Sequence, residues 1–124
     1  MATLAPTERS PQGHVLLVDD CTLMRAIYRR FLEGDGYRVS VAEDGPAALA
    51  ALEREVPDLI LLDHMMPGMS GAEVLGRIRS TPALAEIPTV FLTASALEVA
   101  RAFDLGATDY FTKPIERRML LARV

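Results

Sequence analysis

Five short runs of apolar or β-branched residues recur along the chain. Three of the runs are continuous rather than alternating, which is typical of strands that are buried on both faces of a parallel sheet. The runs are Val15–Val18, Val39–Val41, Leu59–Leu62, Val90–Leu92 and Tyr110–Phe111. We therefore predict five strands at these positions.

The segments between the runs have the length and spacing of helices. Leu23, Ile27 and Phe31 recur every four residues, and Gly34 and Gly36 follow them as stop signals. Further helices are predicted over 46–55, 72–79 and 97–105, and from Pro114 onwards. Each predicted strand is thus followed by a predicted helix.

The regular alternation of strands and helices indicates the fold class. A strand followed by a helix, repeated five times, predicts an α/β fold with a parallel sheet and right-handed crossovers. A chain of 124 residues is one domain by size and can bury a core without disulfides. We place this domain at 14–124 and interpret 1–13, which contains Pro6 and Pro11 but no apolar core, as a flexible leader.

Composition and charge argue against several classes of function. The net charge of −4 disfavours direct nucleic-acid binding, which requires a basic face to neutralise phosphates. No apolar run approaches the length that crosses a membrane. Cys21 is the only cysteine and cannot form an internal disulfide, so a reducing, cytoplasmic compartment is the simplest expectation.

Polar residues follow four of the five predicted strands. In a doubly wound parallel sheet, ligands bind at the carboxyl ends of the strands. The residues at these ends are Asp19 and Asp20, then Asp63, then Thr93, then Lys113. Three carboxylates about 5 Å apart repel by roughly 3 kcal/mol per pair at an effective dielectric of about 20. Such a cluster is predicted to recruit a hard divalent cation, and Mg²⁺ is the natural candidate.

Lys113 adds a second indication of the chemistry. It is the only lysine in the chain, and every other cationic residue is an arginine. A compact ammonium and Mg²⁺ beside a carboxylate suit phosphoryl transfer, because they neutralise the phosphoryl oxygens while an oxygen nucleophile attacks. Asp63 is the predicted nucleophile and would become an aspartyl phosphate.

These residues, in this order, resemble the receiver domain of bacterial two-component response regulators. The matching motifs are Val18–Asp20, Asp63–Gly71, Thr93–Ala94 and Tyr110–Pro114. The resemblance runs from about His14 to the C-terminus and implies a flavodoxin-like fold: one five-stranded parallel sheet of order 2-1-3-4-5 with helices on both faces. Ser70 departs from the family, which more often has Asp there. The last helix is short, so we expect it either to be truncated at Val124 or to continue into an output domain.

The resemblance implies a metal site around the phosphoacceptor. Asp63 would accept the phosphoryl group and also bind Mg²⁺. Asp20 would be a direct Mg²⁺ ligand, the backbone carbonyl of Met65 would complete the site, and Asp19 would act through a water molecule.

The resemblance also implies a switch. Thr93 and Lys113 would contact the bound phosphoryl group, and Tyr110 would swing inward with Thr93. The face formed by helix 4, strand 5 and helix 5 would shift and control an output domain or partner. The donor would be a histidine kinase or phosphotransfer protein, and a phosphorylation-dependent dimer is possible. Such a domain promotes its own phosphorylation and dephosphorylation but is not a conventional turnover enzyme.

Other interpretations stay open at this stage. A Mg²⁺-dependent phosphatase could use the same acidic cluster, although it needs an acidic residue two positions after Asp63, where Met65 stands. A receiver-like binding module that is never phosphorylated is disfavoured by the complete set of acidic residues, threonine and lysine. Taken singly, Asp19 or Asp20 could cap the first helix, and Thr93 could cap the fourth.

Overall fold

Strands and helices alternate along the part of the chain that the structure, a computed structural model, describes: residues 13–64, 66–93 and 109–112. The elements are β1 (His14–Val18), α1 (Thr22–Gly34), β2 (Arg38–Ala42), α2 (Gly45–Arg54), β3 (Leu59–Asp63), α3 (Gly71–Ser80), β4 (Thr89–Thr93) and β5 (Asp109–Thr112). The five predicted strands and the first three predicted helices are confirmed, with small differences at their ends. The helices predicted over 97–105 and after Pro114, and residues 1–12 of the leader predicted over 1–13, lie outside the described residues.

All five strands are parallel and lie in the order β2-β1-β3-β4-β5, as predicted. Val15 of β1 is opposite Val39 of β2 on one side and Leu59 of β3 on the other. Farther along the sheet, Asp63 of β3 is opposite Leu92 of β4. The chain leaves β1 in one direction and returns to β3 on its other side. The strand order therefore reverses between β1 and β3, and this is where ligands bind in doubly wound sheets.

Each face of the sheet is covered by its own apolar cluster, because successive strand residues point to opposite faces. The cluster under α2 and α3 contains the strand residues Leu16, Val18, Ile60, Leu62 and Phe91. The cluster under α1 contains the strand residues Val15, Leu17, Leu61, Val90 and Leu92. Helices thus lie on both faces of the sheet, which explains why the central strands have continuous apolar sequences.

The residues of α1 that face the core differ from the row Leu23, Ile27 and Phe31 that the four-residue spacing predicts. Tyr28 and Leu32 are buried, Ile27 and Phe31 pack partly against the core, and Leu23 is 67% exposed. Residues four apart advance about 400° around a helix, so such a row drifts by about 40° per step. Leu23 therefore lies well off the direction in which Phe31 points, and the core contact shifts to the neighbouring row.

The other two helices begin at side-chain caps. Asp44 precedes α2, and its Oδ1 accepts a hydrogen bond from the Ala47 N–H at 2.8 Å. Ser70 precedes α3 and forms a capping box with Glu73: Ser70 Oγ accepts from the Glu73 N–H, and Glu73 Oε1 accepts from the Ser70 N–H. Across the described residues, no helix is both long enough and apolar enough to span a membrane.

Candidate functional site

Three carboxylates meet at the carboxyl ends of β1 and β3. Asp63 is the last residue of β3, and Asp19 and Asp20 directly follow β1, which pairs with β3. One carboxylate oxygen from each of the three residues lies within 4.8 Å of the other two. Asp19 and Asp63 are buried, whereas Asp20 is exposed. The fold therefore brings the three acidic residues of the predicted site together, with one side open to solvent.

Asp19 is held in place by hydrogen bonds from three directions. Its N–H donates to the Ala42 carbonyl at the end of β2, and its Oδ1 accepts from the Cys21 N–H at 2.9 Å. Arg25 of α1 donates from Nη1 to the Asp19 carbonyl at 2.7 Å. The N-cap of α1 is Cys21, whose side chain makes no capping hydrogen bond. The alternative that Asp19 or Asp20 occupies this cap is therefore wrong.

Arg25 was not singled out from the sequence. Arg25 follows Asp19 by six residues, and its guanidinium links the first turn of α1 to the backbone of the acidic site. The only available signal was a cation placed about one turn into the helix that follows the acidic pair. That signal is weak, because most arginines simply lie on the exposed surface.

The backbone hydrogen bonding between β3 and β4 continues one residue past Asp63, the last residue of β3. The next residue, His64, donates its N–H to the Leu92 carbonyl at 2.9 Å. The His64 ring is buried and makes an edge-to-face contact with Phe91, with centroids 5.1 Å apart, on the side of α2 and α3. The backbone on both sides of the Asp63 carboxylate is thus fixed by pairing and by core packing.

The donor set fits a magnesium ion. At a separation of 4.8 Å and an effective dielectric of about 20, the two buried carboxylates repel by about 3 kcal/mol. Asp20 adds less repulsion because solvent screens it. Mg²⁺ prefers hard oxygen ligands and usually keeps several water molecules, so a few carboxylates beside an open side suit it.

The backbone of Thr93 relates to this site through the sheet. Thr93 is the last residue of β4 and directly follows Leu92, the residue opposite Asp63. The Thr93 backbone therefore lies at the same edge of the sheet as the acidic cluster, and it pairs with Thr112 of β5. Lys113 lies outside the described residues, and it follows Thr112 directly in the chain.

Tyr110 and Met65 complete the predicted set. Tyr110 lies in β5, where its backbone is opposite Phe91 of β4. The carbonyl of Met65, the third predicted metal ligand, lies outside the described residues. The roles of these two residues stay predictions.

Comparison with known proteins identifies the family. The profile of the response regulator receiver domain matches residues 15–124, and the chain belongs to this family. Response regulator PleD of Caulobacter vibrioides is 42% identical over 114 residues, which cover 90% of this chain and 25% of PleD. Sensory transduction protein RegX3 of Mycobacterium tuberculosis is 39% identical over 112 residues, which cover 89% of this chain and 48% of RegX3.

Solved structures agree with the sequence relatives. The chemotaxis protein CheY4 of Vibrio cholerae superposes with a TM-score of 0.84 at 32% identity, covering 90% of this chain and 94% of CheY4. The chain is thus a receiver domain with the signalling role of that family, as the sequence predicted. Receiver domains are signalling switches, generally not classed as enzymes, that bind Mg²⁺ through acidic residues and interact with histidine kinases and output domains. The chain spans about a quarter to a half of the curated relatives it matches.

Proposed function

We propose that Asp63 accepts a phosphoryl group from a phosphohistidine donor in a Mg²⁺-dependent reaction, and that the resulting aspartyl phosphate controls an output domain or partner protein. The observation that carries this proposal is the buried Asp63 carboxylate, within 4.8 Å of the carboxylates of Asp19 and Asp20 at the point where the strand order reverses. This arrangement combines an oxygen nucleophile with a cation site.

The transfer step balances with the residues at hand. An Asp63 carboxylate oxygen attacks phosphorus, the phosphorus–nitrogen bond of the donor breaks, and the imidazole leaves and takes up a proton. Asp20 and Asp63 would hold Mg²⁺ directly, Asp19 through water, and the Met65 carbonyl would complete the set. When bound, the ion supplies charge neutralisation for the phosphoryl oxygens. Pairing of the backbone on both sides of Asp63 keeps the nucleophile oriented for attack.

The adduct would act as a switch through neighbouring strand ends. The phosphoryl group carries a charge of about −1.5 to −2, a figure taken from hydroxyl phosphates, and it replaces the single negative charge of the Asp63 carboxylate, so the site becomes more negative by at most about one charge. Thr93 and Lys113 would contact it, and Tyr110 would follow Thr93 inward. The face of helix 4, β5 and helix 5 would then favour one of two pre-existing arrangements. The position of the Thr93 backbone, one residue beyond the partner of Asp63, supports this proposal.

An exposed apolar residue beside the site supports docking of a protein donor. Leu23 is 67% exposed, and it lies in the first turn of α1, three residues after Asp20. We propose that a histidine kinase or phosphotransfer protein packs against this turn when it brings its imidazole to Asp63. We include Leu23 in the docking surface and place the domain in the cytoplasm, where such donors act.

The test is formation of a phosphoryl adduct on the intact protein. Incubation with phosphoramidate and Mg²⁺ should add one phosphoryl mass, and chelation of Mg²⁺ should prevent it. Asp63→Asn should abolish the adduct, whereas Glu53→Gln, which removes an exposed carboxylate from α2, should leave it unchanged. An adduct that persists in Asp63→Asn, or a wild-type protein that forms none, would refute the proposal.

A further inference from the structure

The first turn of α3 touches the phosphoacceptor strand backbone to backbone. Gly71 is buried at the start of α3, and its N–H donates to the His64 carbonyl at 3.0 Å. A Cβ atom at Gly71 would overlap the carbonyl oxygen of Asp63 and would lie 2.9 Å from the Cα of His64. Because both neighbours are backbone atoms, no side-chain rotation can make room for that Cβ.

A second glycine contact lies at the other end of the β3–α3 connection, of which the structure describes residue 64 and residues 66–70. Gly45 is buried in the first turn of α2, and Met69 of the connection rests on it. A Cβ atom at Gly45 would lie 2.7 Å from Met69 Sδ and 2.8 Å from Met69 Cβ. Since a Cβ atom moves only with its backbone, a side chain at Gly45 would push the connection itself.

Conformational freedom does not explain either glycine. The glycines with positive φ among the described residues are Gly13, Gly36 and Gly68, so Gly45 and Gly71 have backbone angles that alanine adopts readily. Glycine is also the least favourable residue in a helix apart from proline. What both positions share is a close approach that any side chain would prevent.

We infer that Gly45 and Gly71 are positioning residues for the acidic site: together they fix the β3–α3 connection and thereby the place of the Asp63 carboxylate relative to Asp19 and Asp20. The inference rests on the proposed function of Asp63. Gly71 acts directly, because the atom it would displace is the carbonyl of Asp63 itself. Gly45 acts through Met69, at the opposite end of the same connection.

The first test compares two glycines of one helix. Gly71→Ala should weaken Mg²⁺ binding to the unphosphorylated protein by about 10- to 100-fold, as loss of the support around a metal site does. It should also slow adduct formation from phosphoramidate by up to about 100-fold. Gly76→Ala is the matched control, because Gly76 is exposed on α3 and a Cβ there meets no heavy atom of the described residues within 4 Å.

The readout separates positioning from stability. Mg²⁺ affinity is measured by amide chemical shifts without a phosphodonor, at a temperature where thermal unfolding shows every variant to be folded. A purely structural role would lower the melting temperature of Gly71→Ala without changing the affinity of the folded protein. We expect Gly76→Ala to keep both Mg²⁺ affinity and phosphorylation rate within about twofold of wild type, since exposed helix positions tolerate alanine.

The second test is a double-mutant cycle of Gly45→Ala and Met69→Gly. It tests the positioning role even if Gly71→Ala does not fold. Gly45→Ala should weaken Mg²⁺ binding in the wild-type background and have no effect beyond about twofold in the Met69→Gly background, where the atoms it would meet are gone. Equal effects in both backgrounds, or wild-type Mg²⁺ affinity in a folded Gly71→Ala, would overturn the inference. A wild-type protein that neither binds Mg²⁺ nor forms an adduct would instead refute the proposed function.

Discussion

Removing the charge of Asp63 should stabilise the metal-free protein, although it destroys the proposed site. The carboxylates of Asp63 and Asp19 are both buried and lie within 4.8 Å of each other. Coulomb's law gives about 3 kcal/mol of repulsion for this pair at an effective dielectric of about 20. The hydrogen bond from Cys21 to Asp19 and the open side of the site offset part of it. We therefore expect Asp63→Asn to raise the free energy of unfolding by about 1–2 kcal/mol without Mg²⁺.

Magnesium should reverse this order of stability. An ion that binds only the folded state stabilises it by about 2.7 kcal/mol at a concentration one hundred times its dissociation constant. The wild-type protein should gain this stabilisation, and Asp63→Asn should gain little of it. The assay is urea unfolding followed by circular dichroism, with EDTA in one series and a range of Mg²⁺ concentrations in the other.

Asp20→Asn provides the comparison for the charge argument. Its carboxylate is exposed and better screened, so its neutralisation should stabilise the metal-free protein less than Asp63→Asn does. If Asp63→Asn is less stable than wild type in EDTA, repulsion does not dominate the energetics of the cluster and the reasoning fails. If Mg²⁺ stabilises Asp63→Asn as much as it stabilises the wild-type protein, Asp63 is not a ligand.

Three further predictions concern docking, capping and pH. Leu23→Ala should slow phosphoryl transfer from a protein donor by about tenfold, because it removes an interface side chain worth about 1.4 kcal/mol. Transfer from phosphoramidate, which needs no docking, should be unchanged. Equal slowing of both reactions would exclude a docking role. Ser70→Ala should lower the free energy of unfolding by about 1 kcal/mol, whereas Ser70→Asp should cost little because aspartate also caps helices; thermal unfolding measures both. The hydrogen bond from Arg38 lowers the pKa of Glu55 from its ordinary value of 4.5. The stability that Glu55 contributes is therefore present above pH 4.5 and is lost as the pH falls through the lowered pKa. Glu55→Gln should be less stable than wild type at neutral pH, and the two proteins should converge in acid and in high salt; a gap that persists in acid would contradict this assignment.

Much of the fold could be predicted because the strands are buried on both faces. Burial on one face leaves an alternating pattern, whereas the continuous run Leu59–Leu62 requires apolar cover above and below. The acidic site followed from the fold, since the ends of neighbouring parallel strands lie side by side and Asp63 follows such a run. Helix faces were less certain, because the four-residue spacing of Leu23, Ile27 and Phe31 drifts around the helix.

The contacts that support the site could not be read from the sequence. The approach of Gly71 to Asp63 depends on how closely α3 meets the end of β3, and glycine at the start of a helix does not by itself indicate such an approach. The contact between Gly45 and Met69 joins the first turn of α2 to the β3–α3 connection, so only the packed structure reveals it. The side-chain roles of Thr93, Tyr110 and Lys113 remain predictions from the family.

The strand order separates a doubly paired centre of the sheet from two edge strands, β2 and β5. β1 and β3, at whose carboxyl ends the three carboxylates lie, each have a neighbour on both sides, so displacing either breaks two ladders of hydrogen bonds. β5 stands at the border and has a single neighbour, β4, so it can tilt or slide while breaking only one ladder. The proposed phosphorylation of Asp63 at the end of β3 can therefore shift β5 without displacing β1 and β3. Amide hydrogen exchange should be slowest in β1 and β3 and should respond to phosphorylation mainly in β5.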